Sequence, residues 1–209
     1  WNYSQPGNDK HQFTSQRTGL GELDLGDVPD RVTVEIDAKG SAVTVRVTSA
    51  KYTIVVIRNV GPEVHLDGKF NRVDVRLASR MPHCSITASR APTKLRLGSG
   101  TWLLGDARDR SDRFQIELFG EKTTTIHGGN PAHITASGTT ALHLAGTTAE
   151  RVAVAGTLRV AASCEVEEVE CQKLELDAPL TARAVRTTAD RGVAVRGQSN
   201  LQASTLVVN

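Results

Sequence analysis

Two apolar residues flanking one other residue, with a turn or a small side chain after them, recur along most of this chain. The unit can be read at Val32-Thr33-Val34, Val43-Thr44-Val45, Ile54-Val55-Val56, Val64-His65-Leu66, Val73-Asp74-Val75 and Leu95-Arg96-Leu97. It resumes at Leu142-His143-Leu144, Val152-Ala153-Val154, Leu158-Arg159-Val160, Leu174-Glu175-Leu176 and Val193-Ala194-Val195. Side chains alternate in and out along a strand, so each unit buries two residues and turns the middle one outward. One such strand cannot cover its own apolar face. Stacking a second about 4.8 Å away pairs the backbones and lays one apolar pair on the next. The pattern predicts an all-β solenoid, a parallel β-helix of stacked short strands.

The rhythm changes along the chain. Turn signals such as Lys39-Gly40-Ser41, Val60-Gly61-Pro62 and Asp67-Gly68-Lys69 separate the early units, which recur about every nine to eleven residues. From Val152 the pairs tighten, beginning at Val152, Leu158, Cys164, Val169, Leu174 and Leu180. Gaps of five or six residues suit a triangular coil with three faces in roughly eighteen residues. About twenty residues per coil over the patterned tract predict eight or nine coils and a rod about 40 Å long. A helix over Glu165 to Leu176 competes, since Val166 and Val169 have helical spacing. Lys173 breaks its stripe, and strand pairs explain more of the apolar positions.

Two segments fall outside the pattern. Residues 1 to 26 are polar and glycine-containing and read as a tail or cap; residues 27 to 209 read as a single solenoid domain. Gly98 to Arg113 (GSGTWLLGDARDRSDR) reads as a projecting loop or a joint. The chain begins at Trp1 rather than Met, which reads as a mature or excised piece.

Composition sharpens the architecture. Every aromatic residue lies at or before Phe119, so the last ninety residues have no ring to fill a wide core. A pair of β-sandwiches split near Gly120 would need about 10 Å of filling between sheets, which fits that half poorly. A net charge of +2 points to neither nucleic acid nor an anionic membrane as partner. Charge is nevertheless segregated. Glu165, Glu167, Glu168, Glu170, Glu175 and Asp177 are followed by Arg183, Arg186, Arg191 and Arg196. These read as outward faces that bridge one another across neighbouring coils. The absence of a transmembrane run and of a leader pattern favours a cytoplasmic location over the cell surface or secretion.

Candidate chemistry is sparse. Cys84, Cys164 and Cys171 lack metal-ligand spacing, and the last two occupy slots that hold Val or Leu elsewhere, so they read as buried small hydrophobes. His133 and His143 turn outward, but ten residues is about half a coil and separates them onto different faces. Asp106, Asp109 and Asp112 form the best candidate metal or acid–base cluster, although Arg108, Arg110 and Arg113 interleave with them. No dinucleotide fingerprint, GxSxG or HExxH motif occurs, and no cofactor is called for. Asn2-Tyr3-Ser4 is a lone glycosylation sequon. Thr205-Leu206-Val207-Val208-Asn209 is an apolar run without charge or Pro, and Leu206, Val207 and Val208 are the candidate partner-binding residues.

The tract from Val152 to Ala182 is similar in pattern to bacterial polymer-forming solenoids such as the bactofilins, which are also short, aliphatic and triangular. The patterned tract here is longer, and the 98–113 segment departs from that compact coil. The resemblance implies a bacterial, self-assembling structural protein. Three classes of function follow. The first is a non-catalytic scaffold or binding module that self-associates or joins a larger protein assembly. The second is a carbohydrate-active β-helix enzyme, a lyase or hydrolase working along a groove. The third is a hexapeptide-type acyltransferase. The scaffold leads, because no catalytic residues are grouped and a fold alone does not license an enzyme.

Overall fold

Strand pairing in the computed structural model is parallel throughout and joins each strand to one about a coil away in sequence. The structure describes residues 10–12, 21–24, 31–47, 52–90, 92–105, 114–138, 141–189, 192–196 and 199–208. The side chains of 10–12, 21–24, 31, 32 and 52 are outside it. Among these residues there are nineteen strands and no helix, wound into a β-solenoid of about nine turns.

Two ladders run the length of the stack. The first contains β1 (Lys10–Gln12), β3 (Arg31–Asp37), β5 (Tyr52–Val60), β7 (Arg72–Leu77), β9 (Lys94–Leu97), β11 (Gln115–Leu118) and β13 (His133–Ala136). The second contains β2 (Gly21–Asp24), β4 (Val43–Val47), β6 (Glu63–Gly68), β8 (Cys84–Ala88), β10 (Thr101–Leu104), β12 (Thr124–Gly128) and β14 (Ala141–Ala145). The long strands β15 (Thr148–Val160) and β16 (Cys164–Leu176) then turn corners and belong to both. β17 (Leu180–Thr187) and β19 (Leu201–Val208) close the first ladder, and β18 (Val193–Val195) closes the second.

In the tight C-terminal coils a third ladder appears. Ala149, Val166, Ala182 and Ala203 stack there, with Thr148, Glu165, Thr181 and Gln202 beside them. The five-to-six-residue rhythm is this triangular cross-section. Small side chains on the third face leave a narrow lumen. The earlier coils are longer and wider, and there the aromatics Phe70, Trp102 and Phe114 lie buried.

The core is a set of aliphatic columns rather than a slab. Val34, Val55, Val73, Leu95, Ile116, Ile134, Val152, Val169, Val185 and Leu206 follow one another down the first ladder. All but Leu206 are essentially excluded from solvent. Cys164 and Cys171 fill column slots in the same way, and all three cysteines are free and buried. Glycines mark corners where the chain meets the coil below. Gly68 has φ +126, and a β-carbon on it would lie 2.1 Å from the Val47 carbonyl oxygen, so only glycine closes that turn.

Two readings of the pattern shift against the structure. In β5 the inward residues are Thr53, Val55, Ile57 and Val60, so Ile54 and Val56 face outward. An unbroken apolar run carries no phase of its own, and the neighbouring columns Val34 and Val73 set it. The Gly98–Arg113 interruption is partly strand, since Thr101–Leu104 pairs with β8 and β12 and buries Trp102; residues 106–113 lie outside the described residues. Within the polar N-terminal segment, β1 and β2 pair with β3 and β4.

Candidate functional site

Alternate residues of the first-ladder strands form two parallel outward columns on the first face. One column runs Thr33, Ile54, Arg72, Lys94, Gln115, His133, Arg151, Glu168, Ala184, Thr205. The other runs Glu35, Val56, Asp74, Arg96, Glu117, Thr135, Ala153, Glu170, Arg186, Val207. Both follow from the register, which is continuous through these positions; the shifts in β5 and β15 come after them, beyond Ile57 and Val154.

The densest charge lies on β7, β9 and β11. Asp74, with its side chain 12% exposed, accepts two hydrogen bonds from Arg72 at 2.8 Å and one from Arg96 at 3.1 Å. Glu117 receives Lys94 at 3.1 Å and Arg96 at 3.2 Å. The Arg76 and Arg96 guanidiniums also lie over the Phe119 ring, 4.9 and 5.1 Å from its centre. Burial pushes the Glu117 carboxyl up, but Lys94 and Arg96 together outweigh it and hold it below its ordinary range.

Towards the C-terminal end the same face carries Arg151 bound to Glu170 at 3.0 Å and Glu168 paired with Arg183. On the second ladder Arg159 pairs with Asp177, and Arg196 approaches Glu175 at 3.7 Å. The acidic stretch and the basic stretch that follows it thus bridge across coils. Arg186 makes no ion pair with another described residue. Because Ala184 is small, a shallow depression of about 310 Å³ opens between Arg151, Glu168, Glu170 and Arg186, with Val207 at its rim.

Second-ladder groups are similarly self-satisfied. Asp67 accepts Ser89 at 2.7 Å and Arg46 at 2.9 Å, which lower its pKa in that order of weight. A hydrogen bond from Lys173 holds Glu175 low against its partial burial, with the charges of Arg196 and Arg159 adding to it. Burial, and then the charge of Arg159, hold His143 below the usual imidazole value. His133 sits on the first face and His143 on the second. Among the described residues no three His, Cys, Asp or Glu gather to hold a metal, and no helix is long and apolar enough to cross a membrane.

These carboxylates make stability depend on acid in a definite direction. A carboxyl held below its unfolded value contributes stability above that value and loses it as pH falls through the folded one. Unfolding midpoints are expected to hold level above the ordinary glutamate value of 4.5 and to fall below it. Glu117→Gln should make that fall shallower; an acid limb of unchanged slope would show that Glu117 is not one of the groups responsible.

Of the residues singled out from sequence, Asp106, Asp109 and Asp112 lie outside the described residues, as does the Asn2-Tyr3-Ser4 sequon. Leu206, Val207 and Val208 lie together on β19, exposed to 50%, 36% and 46%, and Val195 on β18 joins them at 52%. One coil earlier Val185, Thr187 and Leu176 occupy the corresponding columns and are buried. The sequence reading missed Val195 because it belongs to an ordinary apolar pair, and nothing in that pair marks it as uncovered. Compared with known proteins, no family model, no curated protein and no solved structure matches this chain.

Proposed function

We propose that this chain is a non-catalytic β-solenoid scaffold that self-associates, its last coil stacking on a second copy. One observation carries the reading: among the described residues, every exposed large apolar side chain lies on that coil. β19 pairs with β17 on one side, and no described strand pairs with its other edge. Such an edge presents unpaired N–H and C=O groups beside an apolar ladder, which templates another strand. Ion pairs such as Arg96–Glu117, Arg151–Glu170 and Arg183–Glu168 bind coil to coil, and among the described residues no three His, Cys, Asp or Glu gather as a metal cluster.

Sedimentation velocity and small-angle scattering across a concentration range test it. The expected result is particles that lengthen by whole rods of roughly 40 Å as concentration rises. Leu206→Lys places a charge on the exposed end of the column and should stop this growth with little change in melting temperature, because Leu206 is half exposed already. A chain that never lengthens at high concentration, or lengthens equally as Leu206→Lys, overturns the end contact.

A further inference from the structure

The outward columns of the first face have an order that intramolecular packing does not require. Read from β5 to β19, the levels are apolar (Ile54, Val56), mixed (Arg72, Asp74), basic (Lys94, Arg96), acidic (Gln115, Glu117), and neutral (His133, Thr135). Then come basic (Arg151, Ala153), acidic (Glu168, Glu170), basic (Ala184, Arg186) and apolar again (Thr205, Val207). Four levels lie on each side of His133 and Thr135, and none sets a charge on a like charge at its reflection, while Lys94, Arg96 and Asp74 fall on Glu168, Glu170 and Arg186.

We infer that this face is a lateral docking surface for a second copy of the chain. The two rods lie antiparallel, related by a two-fold axis that runs along the strands at the level of Thr135. It rests on the scaffold reading in that the partner is again this chain, but it uses the outward side of the coils, to which the last contributes Thr205 and Val207, and not that coil's open end.

A two-fold axis along the strand direction reverses the order of the coils and keeps each column facing itself. Val56 then meets Val207, Asp74 meets Arg186, Arg96 meets Glu170, and Lys94 meets Glu168. Thr135 meets its own mate. No like charges face each other at any level. Other placements fail on charge. Half a coil towards β19, Arg96 faces Arg186 and Glu117 faces Glu170. Half a coil the other way, Lys94 faces Arg151 and Asp74 faces Glu170. A full coil in either direction sets Arg151 or Glu117 on its own mate. An axis along the rod sets Lys94 against Arg96 and Glu168 against Glu170. Like charges in an interface cost several kcal/mol and fix register by exclusion. An isologous contact requires this kind of self-complementarity.

Arg186 has no ion partner among the described residues, and across the axis it would meet Asp74, a carboxylate already held by Arg72 and Arg96, and add a third donor to it. Outward Val56 and Val207 close the two ends of the contact with apolar surface. The face is roughly 40 Å long and about 13 Å wide, so two copies bury on the order of 1,000 Å², the lower limit for a specific contact. Binding is therefore reversible, and salt weakens it.

Thr135→Cys with a short bismaleimide tests the geometry, because the new thiol is exposed and faces its own mate. The three native thiols are buried, and burial pushes those of Cys84 and Cys171 up to about 12, which keeps them unreactive. At low salt the variant should cross-link to a dimer, and Thr87→Cys, on the second face, should not. Arg186→Glu sets a carboxylate against Asp74 and should lower the yield at least about fivefold. Lys94→Glu should do the same, and Lys94→Glu with Glu168→Lys should restore the yield, which a merely structural role for either residue would not produce. Leu206→Lys should leave the cross-link intact and so separates this contact from the end contact. Equal yields for Thr135→Cys and Thr87→Cys, or no rescue in the charge swap, overturn the proposal.

Discussion

Val152→Asp is expected to lower stability by about 3–5 kcal/mol, while Ala153→Asp, one residue along, should cost under about 1 kcal/mol. Val152 lies fully buried in its column between Ile134 and Val169. A carboxylate there has apolar side chains above and below and no donor in the column. It must either stay charged in a dry lumen or take up a proton, and both routes cost free energy. Ala153 lies in the outward column between Thr135 and Glu170, where water reaches it. Because each coil is held by its neighbours, damage in a middle coil is felt on both sides. Urea midpoints at constant slope measure the two losses, and equal losses would mean that the in–out phase of β15 is wrong.

Trp102→Ala should cost a similar amount, about 3–5 kcal/mol. Trp102 is the largest fully buried side chain, stacked between Cys84 and Ile126. Its indole Nε1 donates to the Gly98 carbonyl at 3.0 Å. Alanine would leave a cavity in one of the wide coils and orphan that carbonyl. Trp102→Phe keeps most of the volume and loses the hydrogen bond, so its cost should be smaller, about 1–2 kcal/mol. A melting temperature for Trp102→Ala within a degree or two of the parent would show that neighbouring side chains collapse into the space.

Pairs such as Val43/Val45, Leu142/Leu144 and Leu174/Leu176 announce the solenoid, because nothing but a strand buries alternate residues in so short a run. The triangular section of the last coils was legible in the five-residue gaps, and the free, buried state of Cys164 and Cys171 in their slots. Ile54 and Val56 were misread because four consecutive apolar residues fit either phase, and only the columns above and below decide. Trp102 was hidden in what looked like a loop, since glycines at both ends of a four-residue strand resemble punctuation more than structure. The order of charges along the first face could not be read from composition or from local runs. It exists only once residues 16 to 22 apart are set on adjacent levels.

That separation of partners by one whole coil has a consequence for how such a molecule can change length. Excising residues 152 to 168 would lower Val169 onto Ile134 and Cys171 onto Ala136, so that both inward slots at the join stay apolar. Rod length is thus a quantised property, altered a whole coil at a time, whereas losing a single residue would turn a column inside out. The outer surface obeys a stricter rule. A coil lost on one side of Thr135 leaves a sound rod with unequal arms, and its basic levels no longer fall opposite acidic ones.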